Sequence, residues 1–257
     1  MAYASKLPDD SGRYRYTTEE NAVWGELFRR QMGFLPGRVA PEYLAGVKAL
    51  GLTDRAVPQI AEIDARLRRL TGAGVEGVPA IIPPSQFFAL LARRKFPVAT
   101  FLRRREDMDY IEEPDIFHEV FGHCPLLTNP AYATFIERFG KLAVALGKPC
   151  SWRLFRLFWF TVEFGMIRTP EGLRAYGAGI VSSPSEAAHA TSGNAEMAEF
   201  DLLTIFRTPY RIDIVQPLYF VIKSFEALEA ALDADIAGLI EEAKRIGDLP
   251  PRFVSAA

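Results

Sequence analysis

Cysteine is scarce in this chain. Only Cys124 and Cys150 occur among 257 residues, and neither belongs to a Cys-x-x-Cys pair. A disulfide framework is excluded, and a reducing cytoplasm is the expected location. Long apolar runs are lacking too. The most apolar stretch, Leu154 to Ile167, contains Arg156 and Glu163 and is short of the roughly 20 residues a bilayer helix needs. It reads as a buried core helix, and no membrane association is expected. The N-terminal run from Met1 to Asp10 has no apolar signal-peptide core; residues 1–15 are expected to be a flexible tail ahead of one domain over residues 16–257. Lys and Arg total 30 against 32 for Asp and Glu, a net charge of -2, with no basic run interleaved with aromatics. Nucleic acid is therefore not an expected partner. Histidine is rare as well, at three residues, and no internal repeat or low-complexity segment interrupts the chain.

What the chain does have is a hydrophobic fraction of 49%, enough for the core of one large domain. Thr17-Thr18-Glu19-Glu20-Asn21 offers a threonine cap followed by acids, and Val23, Trp24, Leu27 and Phe28 repeat at helical spacing. Arg29-Arg30 follow where the helix dipole favours cations. Further helices are expected at Pro41 to Leu50, Pro58 to Leu70, Ser85 to Arg94, from Pro114, at Pro130 to Leu146, Trp152 to Ile167, Pro184 to Ala190, Ala195 to Ile205 and Ser224 to Ile246. Proline opens several of them. Short extended segments are expected at Val78 to Pro84, Val98 to Leu102 and Tyr210 to Val215. Gly72-Ala73-Gly74 breaks one helical pattern, and Ala175 to Ser183 reads as a glycine-bearing turn region. The fold class is mainly α with a few short β-strands (α+β).

Two of the three histidines lie in Pro114-Asp115-Ile116-Phe117-His118-Glu119-Val120-Phe121-Gly122-His123-Cys124-Pro125, and Glu163 follows in Phe158-Trp159-Phe160-Thr161-Val162-Glu163-Phe164-Gly165. Two imidazoles and a carboxylate on one face of an ion leave the opposite positions open for water, dioxygen or substrate. The zinc-protease pattern H-E-x-x-H spaces its histidines four apart, on one helical face. Here the spacing is five, which on an α-helix turns the second side chain roughly 140° from the first. The pattern predicts a helix that ends at His123, with Gly122 left-handed and Pro125 stopping it, so that both rings converge on one ion.

Each of these residues also has a plainer reading. A buried histidine is commonly satisfied by backbone groups. Glu112, Glu113, Asp115 and Glu119 form the acidic first turn of an ordinary solvent-facing helix, and Glu119 could cap, pair with an arginine or hydrogen-bond beside the ligands. Glu163, among Phe158, Trp159, Phe160, Val162 and Phe164, needs a cation if it is buried. Arg153 or Arg156 would serve, and only the two histidines favour a metal. The aromatic residues fill cores in general or wall a flat pocket for an aromatic substrate. His189 has no partner pattern and reads as structural or exposed.

Three segments in order, Glu113 to Leu126, Trp159 to Gly165 and Ala175 to Ser183, resemble the pterin-dependent aromatic amino acid hydroxylases, above all their short bacterial members that act on phenylalanine. The likeness extends from Tyr16 to Phe220, most of the chain. It implies a single catalytic domain of that type, with His118, His123 and Glu163 holding a non-haem Fe(II). It implies that tetrahydrobiopterin or a related tetrahydropterin supplies two electrons, and that one atom of dioxygen enters L-phenylalanine at the para position to give L-tyrosine. By position, Arg103 matches the arginine that pairs with the substrate carboxylate, with Arg104 and Arg105 beside it leaving the register open. Trp159, Ser182, Pro114 and Ile111 match substrate-pocket positions. Phe87 matches the phenylalanine that stacks on the pterin, and Glu119 a group near it.

This chain departs from the family at a few positions. Ile81-Ile82-Pro83-Pro84 stands where members with a longer pterin loop carry Leu-Leu-Ser-Ser, and Phe158 replaces a common tyrosine. Ile212 stands where tyrosine hydroxylases carry aspartate, which favours phenylalanine, although Asp213 is adjacent. The animal enzymes' regulatory domain and tetramerisation helix have no counterpart here, so a monomer without allosteric activation is expected. The rival readings are a tryptophan or tyrosine hydroxylase, a zinc hydrolase with Glu119 as base, and a helical binding module whose histidines are structural.

Overall fold

The computed structural model describes residues 3–79, 81–109, 111 and 113–253. The first helix, α1 (Thr18–Phe34), begins at the threonine cap: Glu20 N–H donates to Thr17 Oγ1 at 3.1 Å and Thr17 N–H to the Glu20 carboxylate at 2.7 Å. Next come α2 (Pro41–Ala49) and α3 (Ile60–Thr71). Pro58 lies outside α3, whose cap is Gln59, and Gly72 closes that helix in the left-handed conformation at φ 73°. β1 (Gly74–Val78), α4 (Pro84–Ala92) and β2 (Lys95–Ala99) then build one crossover unit, its strands parallel from Gly74↔Lys95 to Val78↔Ala99. Both strands start earlier than their apolar runs suggest. The expected segment Val78 to Pro84 shares only Val78 with β1, and its Ala80 lies outside the described residues, as does Glu112.

The second half is helical around a four-stranded sheet. α5 (Pro130–Leu146) has the expected bounds. α6 (Lys148–Phe158) starts after Gly147 and passes into a π-helical turn, Trp159–Glu163. The sheet comprises β3 (Met166–Thr169), β4 (Gly172–Ala175), β5 (Glu196–Glu199) and β6 (Leu218–Ile222), in the order β4-β3-β6-β5. Between the strands lie α7 (Ala178–Val181), α8 (Pro184–Ala190) and α9 (Leu202–Arg207); α10 (Phe225–Ala230) and α11 (Ile236–Ile246) complete the chain.

Several expectations are corrected. Ile167 belongs to β3, not to the preceding helix. The expected helix Ala195 to Ile205 is β5 followed by α9, because Asp201 caps a new helix through Thr204 N–H at 2.8 Å. Tyr210 to Val215 is not a strand; the strand is the next run, Leu218–Ile222, all five residues buried. A strand covered on both faces reads as a continuous apolar run, whereas alternation misled at 210–215. The long C-terminal helix is broken where Asp235 caps α11 through Gly238 N–H at 2.9 Å.

One hydrophobic cluster runs from Val23 in α1 to Ala243 in α11. The segment expected to be a loose tail is held from Tyr3 onward: Lys6 N–H donates to Thr100 Oγ1 at 2.9 Å, and the Tyr3 ring stacks on Phe101 at 4.8 Å. Among the described residues no helix is long and apolar enough to cross a membrane.

The histidine segment is seated by close backbone packing. A Cβ at Gly46 of α2 would lie 2.0 Å from the Pro125 carbonyl oxygen, and neither backbone can give way cheaply. Gly46→Ala should cost about 1–3 kcal/mol, lowering the thermal midpoint by about 3–10 °C for a domain of this size. A midpoint equal to the wild type in calorimetry would show that α2 does not clamp this turn.

Candidate metal centre and substrate pocket

The segment Phe117–His123 is a π-helix. Its hydrogen bonds run i→i+5, so residues five apart stack on one face. The helix does end at His123, as expected, but His118 and His123 converge because it is wound wider, not because it stops. Gly122 does not adopt a positive φ. Its lack of a side chain serves packing, since a Cβ there would lie 3.1 Å from Ala178 Cβ. The chain continues past His123 through a right-handed Cys124 into a short 3-10 turn, Leu126–Thr128. Glu163 ends the second π-helical turn, where Phe164 N–H donates to Trp159 O at 2.9 Å.

The three donors meet. His118 Nε2 is 3.1 Å from His123 Nε2 and 3.4 Å from Glu163 Oε2, and His123 Nε2 is 3.2 Å from Glu163 Oε1. Three donors about 2.1 Å from one ion, at right angles to each other, lie about 3.0 Å apart. The residues therefore fit an octahedral ion with one face covered, and they form the one such ligand group found among the described residues. Ser182 fixes the tautomer that this requires. Its hydroxyl donates to Ala178 O at 2.7 Å, so its oxygen accepts from His118 Nδ1–H at 2.9 Å, leaving the Nε2 lone pair for the ion. The His123 ring packs on Phe96 with centroids 4.4 Å apart.

The charge balance of the pocket favours a cation. Burial raises the proton affinity of Glu163, but the two imidazoles outweigh it and hold the carboxyl far below the usual range. Burial lowers His123, while at His118 the Glu163 charge overcomes burial and raises it. Glu119 is driven the other way, up to about 8, by burial and then by the charges of Glu163 and Asp115; its Oε2 is 3.9 Å from His123 Nε2. The arginine alternative for Glu163 is removed. Arg156 binds Asp248 at 2.6 Å and Phe206 O at 2.8 Å, and Arg153 also pairs with Asp248.

The glycine-bearing turn joins both ligand segments. A Cβ at Gly177 would lie 2.2 Å from Glu163 O, and one at Gly179 2.5 Å from the Phe164 ring, so the turn presses onto the Glu163 backbone while Ser182 reaches His118.

Of the three adjacent arginines, only Arg103 is buried. Its Nε and Nη2 donate to Asp115 at 2.8 and 2.9 Å, and its N–H donates to the same carboxylate at 2.9 Å. Asp115 also accepts His118 N–H at 3.0 Å, tying this pair to the first ligand. Far from facing solvent, Asp115 is 0% exposed. Burial opposes its charge, and the Arg103 guanidinium overcomes that and holds it below the usual range. Sequence reasoning missed this residue; the available signal was an acid placed directly before the apolar pair Ile116-Phe117. Arg105 instead reaches Glu19 and Glu26, and Arg104 the Tyr3 ring.

Trp159 is half-buried. Its ring stacks on Tyr210 at 4.5 Å, and Tyr210 stacks on the exposed Trp152 at 6.0 Å. Phe87 sits among Phe88, Phe96, Phe155 and Phe158, with its centroid 5.2 Å from Phe158, which lies 6.3 Å from the His123 ring. Ile111 and Pro114, both half-buried, stand on the loop leading to the histidine segment. His189 lies apart from the centre, beside the Tyr219 ring at 6.1 Å. Behind Trp159, the buried Glu186 accepts Gln216 N–H at 3.1 Å and the Tyr219 hydroxyl. Burial pushes the Glu186 carboxyl up to about 6.

Residues 1–241 match the family model described as biopterin-dependent aromatic amino acid hydroxylase. The chain is 47% identical over 251 residues to a phenylalanine-4-hydroxylase of Pseudomonas aeruginosa, covering 98% of this chain and 96% of that one. It superposes on the phenylalanine hydroxylase of Legionella pneumophila with a TM-score of 0.95 at 45% identity, covering 97% and 100% of the two chains. Against the Chromobacterium violaceum phenylalanine hydroxylase carrying iron(III) and 7,8-dihydrobiopterin, the TM-score is 0.89 at 41% identity, covering 97% and 90%.

Two measurements check this electrostatic picture. Asp115→Asn leaves the Arg103 charge buried without its counter-ion and should cost about 3–5 kcal/mol in denaturant unfolding, a loss that adding Arg103→Met should partly reverse. For Glu186 the folded value lies above the unfolded one, so its protonated form stabilises the protein below about pH 4.5 and that contribution is lost as pH rises through about 6. Glu186→Gln should thus gain about 1–2 kcal/mol over wild type at pH 8 and nothing at pH 4; a pH-independent difference would contradict the assignment.

Proposed function

Because the chain belongs to the biopterin-dependent aromatic amino acid hydroxylase family, we propose that it is a phenylalanine 4-monooxygenase, converting L-phenylalanine to L-tyrosine with dioxygen and a tetrahydropterin at a non-haem Fe(II). The observation that carries this reading is the convergence of His118, His123 and Glu163 within 3.4 Å of one another, Glu163 lying on the same turn as the half-buried Trp159. When bound, Fe(II) and the tetrahydropterin supply the oxidising chemistry that puts one oxygen atom on the substrate ring.

The protein's residues hold and orient. His118 and His123 contribute neutral rings and Glu163 one negative charge, so a divalent ion keeps a net positive charge and open positions. Arg103, locked by Asp115 through Nε and Nη2, retains Nη1 for the amino acid carboxylate. Trp159 walls a flat slot for the ring, with Ile111, Pro114 and Ser182 along it. Phe87 offers a ring for pterin stacking, and Glu119, 3.9 Å from His123, a carboxyl near it. Phenylalanine is favoured over tyrosine because Ile212 stands at the position where tyrosine hydroxylases of the family carry aspartate, and the adjacent Asp213 is engaged by Arg211 at 2.9 Å. The two buried free cysteines support a reducing, cytoplasmic setting, and we read the protein as a monomer.

The test is tyrosine formation with Fe(II), a tetrahydropterin and dioxygen, omitting each in turn. Activity should require all three, and phenylalanine should outpace tyrosine and tryptophan. His118→Ala should lose iron and activity by more than the roughly 10–100-fold that an outer partner costs, with its circular dichroism unchanged. Turnover without pterin, or zinc-dependent hydrolysis, would overturn the reading.

A further inference from the structure

Trp159 is held by a residue outside the ligand set. Gln216 is 1% exposed. Its Oε1 accepts Trp159 Nε1–H at 2.9 Å, and its Nε2 donates to the carbonyls of Arg211 at 3.0 Å and Ile214 at 2.9 Å. Its backbone N–H goes to Glu186. Both ends of the side-chain amide are thus committed.

Those carbonyls lie in residues 208–217, which form no helix or strand. The loop therefore lacks a backbone ladder of its own, and Gln216 supplies bonds that close it. The same loop carries Tyr210, stacked on the Trp159 ring, and Ile212. One amide ties the indole to the loop on two sides.

We propose that Gln216 is a positioning residue that locks the Trp159 indole to the 210–215 loop, so that the substrate slot and the segment bearing Ile212 move as one body and the substrate ring is presented in a single orientation. The inference rests on the phenylalanine hydroxylation reading. Without the amide, the indole N–H and two carbonyls lose their partners, and the slot wall is free to turn. A misplacement of about 1 Å can slow a reaction about a hundredfold, which leaves time for pterin oxidation without hydroxylation. The loss falls on the substrate and not on the metal, because no Gln216 contact reaches His118, His123 or Glu163.

Gln216→Met removes acceptor and donors at nearly constant length. Iron content and the KM for tetrahydropterin should stay within about twofold of wild type, the KM for phenylalanine should rise about tenfold, and tyrosine formed per pterin oxidised should fall by about half or more. In nitrogen-15 NMR the Trp159 indole resonance, assigned with Trp159→Phe, should move. The Trp24 indole, bonded to Thr53 O at 2.9 Å, should not. In a Trp159→Phe background Gln216→Met should change the phenylalanine KM by less than about twofold. Wild-type KM and coupling, or an equal effect in both backgrounds, would overturn the proposal. If Gln216→Met does not fold, Gln216→Glu keeps the indole acceptor but lacks the amide hydrogens; it should keep the indole resonance yet lose coupling, and unchanged coupling would overturn the proposal. A wild type that forms no tyrosine defeats the hydroxylase reading, whereas an active wild type with an indifferent Gln216→Met defeats only the positioning role.

Discussion

Three nitrogen and oxygen atoms held 3.1 to 3.4 Å apart in a largely buried pocket need positive charge among them: as bare lone pairs they would repel one another, and a proton on an imidazole or a metal ion removes that repulsion. The structure around them resists their separation. Tyr43 hydroxyl bonds Phe121 O at 2.7 Å inside the first π-helical segment, and Thr161 hydroxyl bonds Leu157 O at the second. Both ligand segments adopt the wider winding, and at each a side-chain hydroxyl bonds a backbone carbonyl. The local geometry of the two segments thus holds His118, His123 and Glu163 as one group.

Support for the centre comes from two sides. From the α7 side, Ser182 orients His118 while Gly177 and Gly179 allow the turn to reach the Glu163 backbone and the Phe164 ring. From the β2 side, the chain leaving the strand carries Arg103 onto Asp115, which also receives His118 N–H. Asp115 therefore does two jobs with one charge: it orders the start of the first ligand segment and fixes the Arg103 guanidinium through Nε and Nη2. A buried pair gives little net stability, but its geometry is tightly specified, which is what the proposed carboxylate-binding role of Arg103 would need.

Much of this was legible in the residues. The ligand types, their order and the glycine-bearing turn pointed to the metal centre, and the proline-led helices α5 and α8 took their expected bounds. What was not legible depended on winding and on distant neighbours. A five-residue spacing has two solutions, a helix that ends or a helix that widens, and no single residue between His118 and His123 distinguishes them. Asp115 resembled a surface cap because its partner lies 12 residues earlier across a loop. The alternation at Tyr210 to Val215 imitated a strand, but its backbone is tied by Gln216, a contact that periodicity does not encode.

Glu163 and Glu119 show why position, more than residue type, divides the roles here. Both are carboxylates in the same apolar pocket, and burial raises both. Glu163 faces two imidazoles within 3.4 Å, and that attraction overcomes burial. Glu119 sits 3.9 Å from His123, with the Glu163 and Asp115 charges opposing it, and is pushed up to about 8. Environments that drive like groups apart separate their tasks. In the proposed site Glu163 would supply the one negative charge and Glu119 would stay out of the ligand set, so that a divalent ion would be matched by a single anionic ligand and keep charge for what binds opposite.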